Sequence, residues 1–163
     1  MNKARSKLLK LNEVLGAGKY LIATGFPLFI ILIILSATPP FDSKFIIINL
    51  FINYIIGIFL LILGVIIYIL SIYHIRRFVK EGQLHTEGIY SFVRHPLYSA
   101  IILLILPAII ILLRLIFLWL VIFVELIVFH FGIKEEEKEL IEKFGEKYIE
   151  YMNRVKRIIP FIY

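Results

Sequence analysis

The chain contains no cysteine. That excludes a disulfide framework, a thiolate nucleophile and any cysteine-based metal site. Its histidines, His74, His85, His95 and His130, show no HxxxH or similar ligand spacing, so no metal is expected. Acidic residues are few, 12 against 18 Lys and Arg, for a formal net charge of +6. Such a balance can signal nucleic acid, but here the positive charge clusters between apolar stretches. That distribution points to a membrane surface and to no nucleic-acid partner. The basic stretch carrying Lys3, Arg5, Lys7 and Lys10 is followed by no small-residue cleavage site, so it reads as a membrane-proximal anchor. Internal repeats and low-complexity linkers are also lacking, which leaves a single domain.

What is present is apolar. Hydrophobic residues make up 61% of the chain, where a soluble domain carries roughly 45–50%, and the mean hydropathy is +0.94. The sequence predicts an all-α, polytopic membrane helical bundle with spans over 16–37, 45–75, 97–113 and 115–133. Pro27 and Pro107 should bend the first and third spans. The second begins with an uncharged run, 45–73. At 1.5 Å per residue that run exceeds the roughly 30 Å hydrocarbon core, yet it is too short for two crossings. One long helix, tilted or projecting, is expected, with Gly57 and Gly64 allowing a neighbour to approach closely. Only Arg114 separates the third and fourth spans, which predicts a tight helical hairpin.

Residues 134–163 read as a cytoplasmic helical cap. Glu and Lys alternate along it, while Leu140, Phe144, Tyr148 and Tyr151 recur at three- and four-residue spacing and form one apolar stripe. Residues 158–162 supply a short apolar plug at its end. Basic residues concentrate in the amino-terminal stretch, in segment 76–96 and in the tail, and are sparse in the other two turns. By the positive-inside rule both termini and the 76–96 segment are cytoplasmic.

The chemistry gathers in one stretch, Thr86-Glu-Gly-Ile-Tyr-Ser-Phe-Val-Arg-His-Pro-Leu-Tyr98. Pro96 suits the first turn of a helix, so Tyr90, Arg94, His95 and Tyr98 sit just before or just inside a helix N-terminus. The free N–H groups there favour a carboxylate or a phosphate. A plainer reading is an interfacial belt of polar and aromatic residues.

The order of Gly88-Ile-Tyr-Ser-Phe-Val-Arg-His-Pro-Leu-Tyr98, a two-span hairpin, Glu135-Glu136-Glu137 and Phe144-Gly-Glu-Lys-Tyr-Ile-Glu-Tyr151 resembles the isoprenylcysteine carboxyl methyltransferase family. Phospholipid N-methyltransferases share much of the pattern, and the likeness runs from about residue 84 to 160. It implies an integral membrane methyltransferase that uses S-adenosyl-L-methionine. It further implies a cofactor pocket lined by Tyr90, His95, Pro96, Leu97 and Tyr98, closed by Glu136, with the backbone around Leu84 and His85 contributing. Arg94 or the helix start at Pro96 can take the cofactor's carboxylate, Glu136 its ammonium, and Tyr90 or Tyr98 its adenine or sulfonium. Two departures stand out. An arginine that the eukaryotic prenylcysteine enzymes place before the Glu cluster falls at Gly132, and four spans stand where five or more are expected.

No acid or base is assigned, because methyl transfer to a carboxylate needs alignment and a dry pocket. The acceptor implied is lipidic or prenylated, a small molecule or peptide entering between helices from the membrane lipids. Glu125 lies mid-span, where a carboxylate is either a functional group, here an attractor of a cationic acceptor, or a buried contact with another helix. Lipid amine N-methylation is therefore an alternative. An NADPH-dependent sterol-reductase-like enzyme, suggested by the ending 158–163, and a non-enzymatic scaffold are others.

Overall fold

The computed structural model describes residues 16–39, 44–47, 49–81, 83–84 and 86–162; His85 and the basic amino-terminal stretch lie outside them. Among the described residues the chain is helical, with no strand. The helices are α1 (Gly18–Leu35), α2 (Leu50–Glu81), α3 (Pro96–Leu113), α4 (Trp119–Phe144) and α5 (Glu146–Arg154). The first four, with the 3-10 turn Ile116–Leu118 leading into α4, are long and apolar enough to cross a membrane. Helices satisfy their own backbone groups, which hydrocarbon demands. Phe26, Phe51 and Phe59 stand outward on α1 and α2, as lipid-facing side chains do. The architecture is that of a multi-pass membrane protein.

At 32 residues α2 is about 48 Å long, so its last turns, with Arg76 and Arg77, extend beyond a hydrocarbon core of roughly 30 Å. The bundle is built as two pairs, α1 against α4 and α2 against α3. Gly57 and Gly64 make the second pair possible. A Cβ at Gly57 would lie 2.7 Å from the Leu112 side chain, and one at Gly64 would lie 2.8 Å from Ile105. The disturbance expected from Pro107 takes the form of a π-helical stretch, Ala100–Ile105, just before Leu106–Leu113. A proline in a helix removes a donor and crowds the preceding turn, and a widened turn relieves both.

Arg114 closes α3 in the left-handed region at φ 63°, and its N–H bonds Ile110 O at 2.8 Å. Asn53 ties this end together. It is fully buried, donates to Ile111 O at 2.7 Å and accepts from Ile47 N at 3.2 Å. At the other end α4 continues without interruption through the glutamates, so the charged tail begins as an extension of the fourth span. Gly145, at φ 57°, ends it and lets α5 turn back. Tyr148 and Tyr151 of the predicted stripe are buried beneath α5. After Arg154 the chain leaves the helix. Ile158 is fully buried, but Phe161 and Ile162 are exposed, so the expected plug is Ile158 with Ile159 packed beside it.

Candidate functional site

Residues 93–95 run extended into α3. Val93 bridges Lys156, Arg94 N bonds Lys156 O at 2.7 Å, and His95 N bonds Arg157 O at 2.9 Å. Ser99 Oγ adds a bond to Ile158 O at 2.9 Å. The segment after α5 is thus a strap laid against the loop before α3. His95 occupies the cap position and Pro96 the first helical one, as the sequence predicts.

Tyr98, in the first turn of α3, donates to Glu136 Oε2 at 2.9 Å and accepts from Gly18 N at 3.0 Å. The same carboxylate oxygen accepts Ala17 N at 3.0 Å. Glu136 therefore caps the N-terminus of α1, where free N–H groups and the helix dipole favour an anion. His95 Nδ1 faces Glu136 Oε1 at 3.4 Å, and its Nε2 faces Glu137 Oε1 at 3.5 Å without hydrogen-bond alignment. Beneath them Phe129 is fully buried, edge-on to the His95 ring at 6.2 Å and tilted to the Tyr98 ring at 5.4 Å. Burial would lower the His95 pKa, but the two carboxylates more than reverse this and hold it above the ordinary value of 6.5. Tyr90 belongs to the same neighbourhood. Burial and the charge of Glu136 push its hydroxyl pKa up, its carbonyl accepts Tyr151 OH at 2.6 Å, and its ring meets His74 edge-on at 5.8 Å.

Arg94 points elsewhere. Its Nη2 bonds Glu137 Oε1 at 2.6 Å, and its Nη1 bonds the carbonyls of Met152 and Val155 at 2.9 and 2.7 Å. Arg157 completes an ion triad on Glu137, with Nη2 at 2.6 Å from Oε2 and Nε at 3.1 Å from both oxygens. The buried Arg94 Nε, His95 Nε2 and Tyr148 OH have no hydrogen-bond partner among the described residues. All three belong to this cluster, and such orphans mark where a further polar group is to be received.

The structure thus brings together Tyr90, His95, Pro96, Tyr98 and Glu136, while the Arg94 guanidinium is engaged by Glu137 and two carbonyls beside them. Leu97 packs against the core beside them. Leu84 is half-buried, and no described hydrogen bond joins it to the cluster. Glu125 is not part of the site. Eleven residues before Glu136 on the same helix, it is about 16 Å away by helical rise. It is buried against α1, where it accepts Thr24 Oγ1 at 3.0 Å and where a Cβ on Gly25 would strike its carboxylate. Gly132 also lies against α1, since a Cβ there would meet Tyr20 at 3.0 Å and Ala17 at 3.5 Å. The first helix occupies the space an arginine side chain would need.

Sequence reasoning missed Glu137, Arg157, Phe129 and the amides of Ala17 and Gly18. Glu137 had a signal in its adjacency to Glu136. The amides had none, lying 119 residues from Glu136 and 80 from Tyr98. A cleft of about 430 Å³ opens between α2, α3 and the strap, lined by Ile67, Val93, Pro96, Leu103, Leu104 and Ile158.

Residues 45–142 match the isoprenylcysteine carboxyl methyltransferase (ICMT) family. The chain belongs to that family. Over 94 residues it is 40% identical to the protein-S-isoprenylcysteine O-methyltransferase of Saccharomyces cerevisiae (strain ATCC 204508 / S288c), a match covering 56% of this chain and 39% of that one. This ICMT-family chain therefore spans about two fifths of its curated relative. No solved structure matches it.

Proposed function

We propose that this chain is an S-adenosylmethionine-dependent methyltransferase that methylates the carboxylate of a prenylated cysteine. One observation carries the reading: His95, Tyr98 and Glu136 converge at the start of α3, next to an apolar cleft. Family membership and the name of the yeast relative supply the reaction type and the acceptor class.

The residues fit the cofactor chemically. Glu136 is a carboxylate suited to an ammonium, Tyr90 and Tyr98 offer aromatic faces, and Arg94 Nε and Tyr148 OH are buried polar groups with no hydrogen bond among the described residues. When bound, S-adenosylmethionine supplies an electrophilic methyl on a sulfonium. The chain's own part is to bind, orient and exclude water. His95, held by Glu136 and Glu137, presents its imidazole at the helix start, while Phe129 and Ile158 keep the floor of the site apolar. A carboxylate acceptor needs no base, and none is assigned. The cleft, sharing Val93 and Pro96 with the His95 loop, takes the apolar chain of the acceptor.

Lipid amine methylation drew its specific support from Glu125, which faces α1 rather than the cluster. The basic residues at the cluster's end of the bundle favour a cytoplasmic site, with both termini on that side.

The test is to incubate purified protein with methyl-labelled S-adenosylmethionine, offering a farnesylated cysteine analogue and an aminophospholipid together. Label released as methanol by mild alkali, from the cysteine analogue alone, is the expected result. Alkali-stable label in the phospholipid would overturn it.

A further inference from the structure

Glu136 and Glu137 are neighbours in sequence and both face the His95 ring, but their hydrogen-bond partners differ. Glu136 accepts from an amide and a hydroxyl, and its side chain is 23% exposed. Glu137 is 4% exposed, and guanidinium donors occupy both of its oxygens. Arg94 and Arg157 between them fill the Glu137 carboxylate, so it has little left to offer a ligand. What those arginines adjoin is the informative point. Arg94 is covalently bonded to His95, and the backbone carbonyl of Arg157 holds the His95 N–H at 2.9 Å. Glu137 therefore grips His95 from both sides, through the chain and through the strap.

We propose that Glu137 is a positioning residue: with Arg94 and Arg157 it clamps the strap to the loop before α3 and so fixes the direction in which His95 faces Glu136. Glu136 is then the carboxylate that serves the cofactor, and Glu137 the one that serves the scaffold. The assignment of Glu136 rests on the proposed methyltransferase reading; the clamp itself does not. Removing one partner of a buried charge cluster leaves the others uncompensated, so the strap rather than the ligand contact should be first to respond. The groups facing His95 are Glu136, Glu137 and the Phe129 ring from α4, Tyr98 from α3, Arg94 from its own loop and Arg157 from the strap.

Arg157→Lys is the decisive variant. It keeps the charge, loses the two-pronged geometry and leaves the His95 ring contacts in place. Full-length protein in detergent would be compared as wild type, Arg157→Lys, Glu137→Gln and Glu136→Gln. Three quantities would be read: hydrogen exchange at the His95 amide, titration of the His95 ring by NMR, and affinity for S-adenosylhomocysteine. The expected result for Arg157→Lys and Glu137→Gln is at least tenfold faster exchange at His95, a displaced ring titration, and a loss of ligand affinity clearly smaller than that in Glu136→Gln. Glu136→Gln should do the opposite, losing about tenfold or more in affinity with His95 exchange unchanged. Should Glu137→Gln fail to fold, Arg157→Lys decides alone. Unchanged exchange and titration at His95 in Arg157→Lys would overturn the clamp, as would a loss of affinity in Glu137→Gln equal to that in Glu136→Gln. Should wild type bind no S-adenosylhomocysteine, the methyltransferase reading fails, and the exchange and titration data still decide the clamp.

Discussion

At the scale of single residues, environment divides like from like. Three carboxylates on α4 have three tasks: Glu125 meets α1 inside the membrane, Glu136 caps α1 at its start, and Glu137 binds two arginines. His95 lies between the last two, and its charge state follows from them. A pKa raised above 6.5 means that the stabilisation drawn from the carboxylates is complete below 6.5 and is lost as pH climbs through the raised value. Thermal unfolding of wild type and His95→Gln across neutral and alkaline pH checks the sign. The wild-type advantage should shrink as pH rises; an advantage that grows would contradict the pairing. Ligand contacts are tested separately. Tyr98→Ala and His95→Ala should each weaken S-adenosylhomocysteine binding roughly ten- to a hundredfold, the loss of about 1–3 kcal/mol. Glu142→Ala, in an exposed pair with Lys138 at 4.0 Å, should change affinity little.

At the scale of elements, close approach decides the pairing. Gly57 and Gly64 lie seven residues apart, two turns of α2, and both face α3. Gly64→Leu would force side-chain atoms into Leu104 and Ile105 at the π-helical stretch that borders the apolar cleft. The expected cost is about 1–3 kcal/mol of stability, measured by denaturant unfolding in detergent, together with impaired use of a prenylated acceptor. A variant as stable as wild type would show that α2 and α3 need no such contact. The strap works differently. Its register depends on backbone bonds to Arg94 and His95 and on one side-chain bond from Ser99, so a segment without regular structure still has carbonyls of three successive residues, 156–158, paired.

For the whole molecule, membrane orientation is the property to test. The lack of cysteine makes labelling clean. Lys138→Cys, near the site, should react with an impermeant maleimide only after cells are opened, and Lys44→Cys, at the other end of the bundle, in intact cells. Reversed accessibility would place the site on the outer face.

Much of this protein is determined by local composition. Long apolar runs commit α1 through α4 to helices, because in lipid a single segment can pair its own backbone polar groups only as a helix. Pro96 marks the start of α3, and the apolar tyrosines of the tail mark its inward face, since both are matters of a few adjacent residues. Tertiary structure alone decides the rest. Which carboxylate caps α1, which is saturated by arginine, and that Arg94 reaches Glu137 all depend on how helices far apart in the chain lie against one another. A rotation of about 100° separates adjacent residues on a helix. Glu136 and Glu137 therefore point to different neighbours, and only the packing of α1 and the strap says which neighbours those are.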